Sequence, residues 1–174
     1  VLAVGINEDG YGAYYLRKTS DFSALPIPPM PKGVVSNVTF AGSHMLYAVD
    51  NANTPGVIHK WNTKTPDAKP EVLTTADTQG IDVSKFRLPA LVKYPSFDKT
   101  MIPAFLYLPA DYQEGKKIPF IVQYHGGPEG QFRPNFNRSF QYFLSRGYGL
   151  IAPNPRGSSG YGKKFIEADN YKDR

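Results

Sequence analysis

The chain has 174 residues from Val1 to Arg174, with 41% hydrophobic and 14% aromatic residues; this is globular material, sized for one medium domain or parts of two. It has no cysteine, which excludes disulfides and thiolate metal sites, and it contains no run of about 18 apolar residues that could cross a membrane as a helix. The net charge of +5 is scattered from Arg17 to Arg174 in no basic block longer than a pair, unlike the clustered footprint of a nucleic-acid binder.

The first half reads as short strands and turns. Val1–Ile6 is apolar, Asn7-Glu8-Asp9-Gly10 turns, and Ala13–Arg17 runs back. Leu25–Pro31 carries too many prolines for a helix or a central strand. Val34–Phe40 alternates imperfectly, Ala41-Gly42-Ser43 turns, and His44–Val49 is a strand. A loop is expected over Asp50–Gly56, then a strand over Val57–Trp61, a turn over Asn62–Pro66 and a short strand over Glu71–Thr74. Four strands in about 40 residues is the size of one β-propeller blade; a β-sandwich gives similar spacing. Val1–Arg17 would then be a hairpin of the preceding blade.

The pattern changes near Leu88-Pro89. Strands are expected over Leu91–Tyr94 and Ile102–Leu108 around a turn at Phe97-Asp98-Lys99-Thr100. Ile118–Tyr124 is almost continuously apolar, as for a parallel strand buried on both faces. After His125-Gly126-Gly127-Pro128, residues Phe136, Phe140, Phe143 and Leu144 share one helical face. Arg146 suits the last turn and Gly147 the left-handed cap. Tyr148–Ala152 is a second buried strand, completing a βαβ unit.

Two loops therefore leave the carboxyl ends of parallel strands, where ligands sit in open α/β sheets. One is His125-Gly126-Gly127-Pro128; the other is Asn154-Pro155-Arg156-Gly157-Ser158-Ser159-Gly160-Tyr161-Gly162. On the residues alone, Gly126-Gly127 is either a tight turn or the source of a backbone N–H for an oxyanion. His125 is read as a support of the turn rather than a base, because no nucleophile and carboxylate accompany it. No serine fits the G-x-S-x-G elbow of a nucleophile. Ser158 and Ser159 read as loop residues whose hydroxyls bond nearby backbone. Arg156 reads as a buttress of its loop through backbone carbonyls, with grip on a carboxylate as the alternative. His44 and His59 read as ordinary strand residues. Three isolated histidines and no cysteine argue against a metal, and no cofactor is expected.

The sequence Tyr124-His125-Gly126-Gly127-Pro128, followed by Asn154-Pro155-Arg156-Gly157-Ser158-Ser159-Gly160-Tyr161-Gly162, resembles the prolyl oligopeptidase family of serine peptidases. The nearest branch is of the acylaminoacyl-peptidase and bacterial dipeptidyl-peptidase type. The resemblance covers residues 88–174 and is only architectural over 1–87. It implies the end of a β-propeller over 1–87 and the first part of an α/β-hydrolase domain over 88–174. It implies cleavage of short peptides through an acyl-enzyme, with the propeller screening substrate size. Gly127 would give one oxyanion-hole N–H, with His125, Gly126, Pro128, Asn154, Arg156 and Gly157 supporting the loops around it. The Ser, Asp and His of the triad would all lie past Arg174, so the chain reads as an inactive fragment of an active enzyme. A carboxylesterase or lipase of the same fold, usually with His-Gly-Gly-Gly, and a non-catalytic propeller-hydrolase binding protein are the alternatives. The oligomeric state is left open, and cytoplasm and bacterial periplasm both fit as compartments.

Overall fold

The computed structural model describes residues 1–127 and 129–169 as three sheets, two short α-helices and a 3-10 turn at Val83–Lys85. The first sheet pairs β1 (Leu2–Glu8) with β2 (Tyr11–Arg17) and adds the two-residue strand β3 (Ala24–Leu25). The second is an antiparallel meander of β4 (Val34–Ala41), β5 (His44–Asn51), β6 (Thr54–Asn62) and β7 (Glu71–Val72). A bulge between Ser36 and Thr39, with Asn37 at φ 53°, breaks the alternation of β4. That break accounts for the imperfect pattern in its sequence.

The loop expected over Asp50–Gly56 is much shorter. Strand β5 continues to Asn51 and β6 begins at Thr54, leaving a two-residue turn. Asn51 makes this possible: its Oδ1 accepts from Asn53 N–H at 3.0 Å and its Nδ2 donates to Lys32 O at 2.8 Å. An asparagine bonded to the backbone two residues on reproduces a turn with its own side chain.

Below this meander lies a core of Leu16, Val35, Met45, Tyr47, Val49 and Trp61. Fully burying each such side chain contributes about 1.5–3 kcal/mol. His59 stacks on Tyr47, with ring centroids 5.2 Å apart and planes inclined by 10°. Its Nε2 is buried without a partner among the described residues. Burial holds the imidazole below its ordinary pKa of 6.5 and pushes the Tyr47 phenol up to about 12. The unfolded chain therefore takes up a proton at His59 before the folded one does. This contribution is fully favourable above the unfolded pKa and is lost as pH falls below it. We expect His59→Phe to flatten the stability difference between about pH 7.5 and about pH 5.5, read by urea unfolding. An unchanged slope would assign the pH dependence to other groups.

The third sheet is mixed, in the order β8-β9-β11-β10. Here β8 (Ala90–Pro95) and β9 (Met101–Tyr107) form a hairpin, β11 (Gly149–Pro153) lies antiparallel to β9, and β10 (Phe120–Val122) lies parallel to β11. The expectation that Ile118–Tyr124 is buried on both faces fails: Phe120 and Val122 are 48% and 53% exposed. The reason is position in the sheet, since β10 is an edge strand with one neighbour. The central strand β11 is buried as expected.

Helix α1 (Arg138–Ser145) joins the parallel pair. Asn137 caps it by accepting from Phe140 N–H at 3.1 Å. Gly147, at φ 83°, ends it in the left-handed conformation, and Gly147 N–H returns to Leu144 O. Phe140 and Leu144 pack with Phe105, Tyr107, Leu150 and Ala152 in a second core. Phe136 precedes the helix. The short helix α2 (Lys163–Ile166) was not evident in the sequence.

The turns of the strand-rich half enter this second core. Ala52 is fully buried in it, and a Cβ on Gly10 would stand 3.0 Å from the Phe105 ring. Hydrogen bonds reinforce the junction along the segment that leads into α1. Asp50 accepts from Phe136 N–H at 2.7 Å and Asn135 Nδ2 at 3.0 Å; Gln141 Nε2 donates to Ala52 O at 3.0 Å. These bonds tie the segment to the β5–β6 turn.

Candidate active site

Because β10 and β11 are parallel, the two glycine-rich loops leave the same edge of the third sheet. The β8–β9 turn reaches that edge too, since β9 runs antiparallel to β11 and pairs Ala104 with Pro153. Three connections therefore meet there, although they are distant in sequence.

Gly127 sits at φ 128°, a conformation that L side chains rarely adopt. A Cβ there would lie 3.1 Å from the Gly130 N–H nitrogen. The residue is exposed, and its N–H donates to no group among the described residues. Gly126 is exposed beside it, with open space around its Cβ position. Pro128, expected to support the turn, lies outside the described residues.

His125 faces inward. Its Nε2 is 2.9 Å from Ser158 Oγ, and its Nδ1 is 3.1 Å from Gly126 O. This pair looks like a Ser–His dyad, and the burial of Ser158 decides against one. Ser158 Oγ also lies 2.6 Å from Pro155 O. Ser158 is fully buried, out of reach of a substrate carbonyl. Replacing Ser158 with alanine is expected to lower stability by about 1–3 kcal/mol, because His125 Nε2 loses its partner. Thermal melts beside an activity assay check this; loss of turnover without loss of stability would restore Ser158 as a reacting group.

Asn154 links the two loops. It is fully buried. Its Oδ1 accepts from Phe132 N–H at 2.6 Å, and its Nδ2 donates to Phe132 O at 3.1 Å and Tyr161 Oη at 2.8 Å. Its backbone N–H donates to Pro103 O at 2.8 Å. A further bond runs from Ser159 N–H to Gly130 O at 2.9 Å. Burial raises the Tyr161 phenol above its ordinary pKa, so it stays a neutral acceptor.

Arg156 does not buttress its loop through backbone carbonyls. Its Nη1 pairs with Asp98 Oδ2 at 2.5 Å, and its guanidinium lies 4.7 Å from the Phe97 ring centroid. The guanidinium thus pins the second loop to the β8–β9 turn. Asp98 is held below the ordinary carboxylate range, chiefly by the Thr100 backbone N–H and also by Arg156. Gly157, at φ 89°, donates its N–H to Phe165 O at 3.0 Å, and a Cβ there would collide with the Asp169 carboxylate. Sequence reading missed Asp98 and Asp50. Their partners lie 58 and 85 or 86 positions away, and no local pattern signals such pairs.

His44 and His59 lie in β5 and β6, away from these loops. No group of three or more His, Cys, Asp or Glu among the described residues is arranged to hold a metal.

Known proteins resemble this chain in sequence and fold. Residues 134–174 match the family model described as the prolyl oligopeptidase family. The chain is 33% identical over 141 residues to a probable dipeptidyl-peptidase 5 of Aspergillus clavatus, covering 78% of this chain and 19% of that protein. It is 31% identical over 96 residues to the uncharacterized peptidase YuxL of Bacillus subtilis, covering 55% and 15%. An acylaminoacyl peptidase of Pyrococcus horikoshii superposes over 94% of this chain and 25% of its own, at 25% identity and a TM-score of 0.71. The chain thus spans less than a fifth of the length of these two curated relatives. The resemblance to the prolyl oligopeptidase family is borne out.

Proposed function

We propose that this chain supplies the oxyanion turn of a serine peptidase that cleaves short peptides through an acyl-enzyme. Residues 1–87 are read as the end of a β-propeller and 88–174 as the first part of an α/β-hydrolase domain. The antiparallel meander of β4–β7 and the mixed order β8-β9-β11-β10 support that division. One observation carries the catalytic reading. Gly127 presents an N–H unengaged among the described residues, beyond the carboxyl end of β10, in a conformation suited to glycine.

The geometry supports the following roles. The Gly127 N–H donates to the carbonyl oxygen as it becomes an oxyanion, an interaction strongest in the transition state. His125, Asn154, Arg156 and Gly157 hold the loops in place and touch no reacting atom. The nucleophile, its base and the orienting carboxylate come from outside these 174 residues, because no G-x-S-x-G stands in them.

Labelling with a fluorophosphonate tests the reading. The full-length protein is expected to hydrolyse aminoacyl-arylamides and to take the label at a serine outside residues 1–174. The isolated chain is expected to do neither. Labelling of Ser158 in the isolated chain, abolished by Ser158→Ala, would overturn the proposal.

A further inference from the structure

Among the described residues, Arg133 is the one Lys or Arg lining a cavity of about 260 Å³ that opens beside His125. The other lining residues are Gln131, Phe132, Asn135, Phe136 and Asn137, so the cavity wall contains no carboxylate. Among the described residues one donor of the Arg133 guanidinium is engaged: Nε–H donates to Gly10 O at 2.9 Å. Among the described residues Arg133 forms no ion pair. Asp9, beside Gly10, lies 3.8 Å from Lys93 instead, and Asp50 is taken up by Asn135 and Phe136.

A half-buried guanidinium without a counter-ion is costly, and burial depresses its pKa. Such a group is retained where an anion arrives to complete it. The Nε bond fixes the plane of the fork and leaves the two terminal nitrogens as a bidentate donor set matched to a carboxylate. Asn137 adds a second donor. Its Oδ1 is occupied by the helix cap, so its Nδ2 remains for a ligand.

We propose that this cavity is a carboxylate subsite of the peptidase, in which Arg133 binds a substrate carboxylate close to the scissile bond. The proposal rests on the peptidase reading above. A carboxylate there has two sources in a peptide: an acidic side chain, or the free carboxyl terminus of a short substrate.

The test uses the full-length protein and matched substrates. One pair of peptidyl-arylamides differs only in Glu against Gln; one pair of short peptides differs only in a free against an amidated C-terminus. The wild type is expected to favour one carboxylate-bearing partner by about 10- to 100-fold in kcat/KM. Preference within the first pair assigns a side chain, and within the second a chain terminus. Arg133→Met should abolish the preference, and Arg133→Lys should keep part of it, a cation without the fork. Glutarate should inhibit the wild type competitively where glutaramide does not, a measurement that needs no variant to fold. Uniform loss on all substrates in Arg133→Met, with the ratio kept, would reduce Arg133 to a structural residue and overturn the subsite. An active wild type indifferent to carboxylates overturns the subsite alone, whereas a wild type that cleaves no peptide overturns the peptidase reading and the subsite together.

Discussion

Replacing Gly127 with alanine in the full-length protein is expected to lower kcat by about 10²–10³-fold with little change in KM. Two observations combine. At φ 128° an alanine is strained, and its Cβ would press on the Gly130 nitrogen at 3.1 Å. The turn relaxes by rotating the peptide that carries the Gly127 N–H, and the donor leaves the oxyanion. Loss of one such donor costs about 2.7–4 kcal/mol of transition-state stabilisation. Ground-state contacts to the rest of the peptide survive, so KM moves little. Affinity for a peptidyl boronate, which mimics the tetrahedral state, should fall in step with kcat/KM. The turn is exposed, so the melting temperature should fall far less than the activity. If kcat holds within a few-fold of wild type, Gly127 is not an oxyanion donor.

Asn154→Ala is expected to have the largest effect on stability among single changes at the site. The substitution removes a fully buried amide that satisfies Phe132 N–H, Phe132 O and Tyr161 Oη together. Each buried polar group left without a partner costs about 1–3 kcal/mol. Water entering the vacated space offsets part of this, so a net loss of about 3–5 kcal/mol is expected in urea unfolding. Activity should fall as well, because the bond pair to Phe132 sets the path from the oxyanion turn to α1. Asn154→Asp separates the two effects: the carboxylate can still accept from Phe132 N–H and can no longer donate to Phe132 O. A loss below about 1 kcal/mol for the alanine variant would show that other contacts hold the loops.

Much of the fold was legible because its signals are local. The phenylalanine spacing over 136–144 and Gly147 marked α1, and Gly42 and the Phe97–Thr100 turn marked hairpins. The exposure of β10 was not legible. An apolar run of Phe, Ile and Val reads the same whether it has one neighbour or two, and the neighbour is decided by the whole sheet. At the candidate site, the residue types of both loops were identified while their partners were not. Asp98 meets Arg156 and Asp50 meets Phe136 only after distant segments come together. Ser158 shows the reverse case, since its bond to Pro155 O is local and was anticipated.

The order β8-β9-β11-β10 has a consequence for synthesis on the ribosome. Strand β11 is made last among the four yet lies between β9 and β10. Until it emerges, β10 has no strand to pair with, and an unpaired apolar strand near the ribosome is open to wrong pairing or to a holding chaperone. The turn at Gly127 is completed later still, because Ser159 N–H closes onto Gly130 O and Asn154 onto Phe132. The donor that would do the chemistry thus takes its shape only after the loop following β11 has been translated, so a nascent chain stalled before that point has no assembled site.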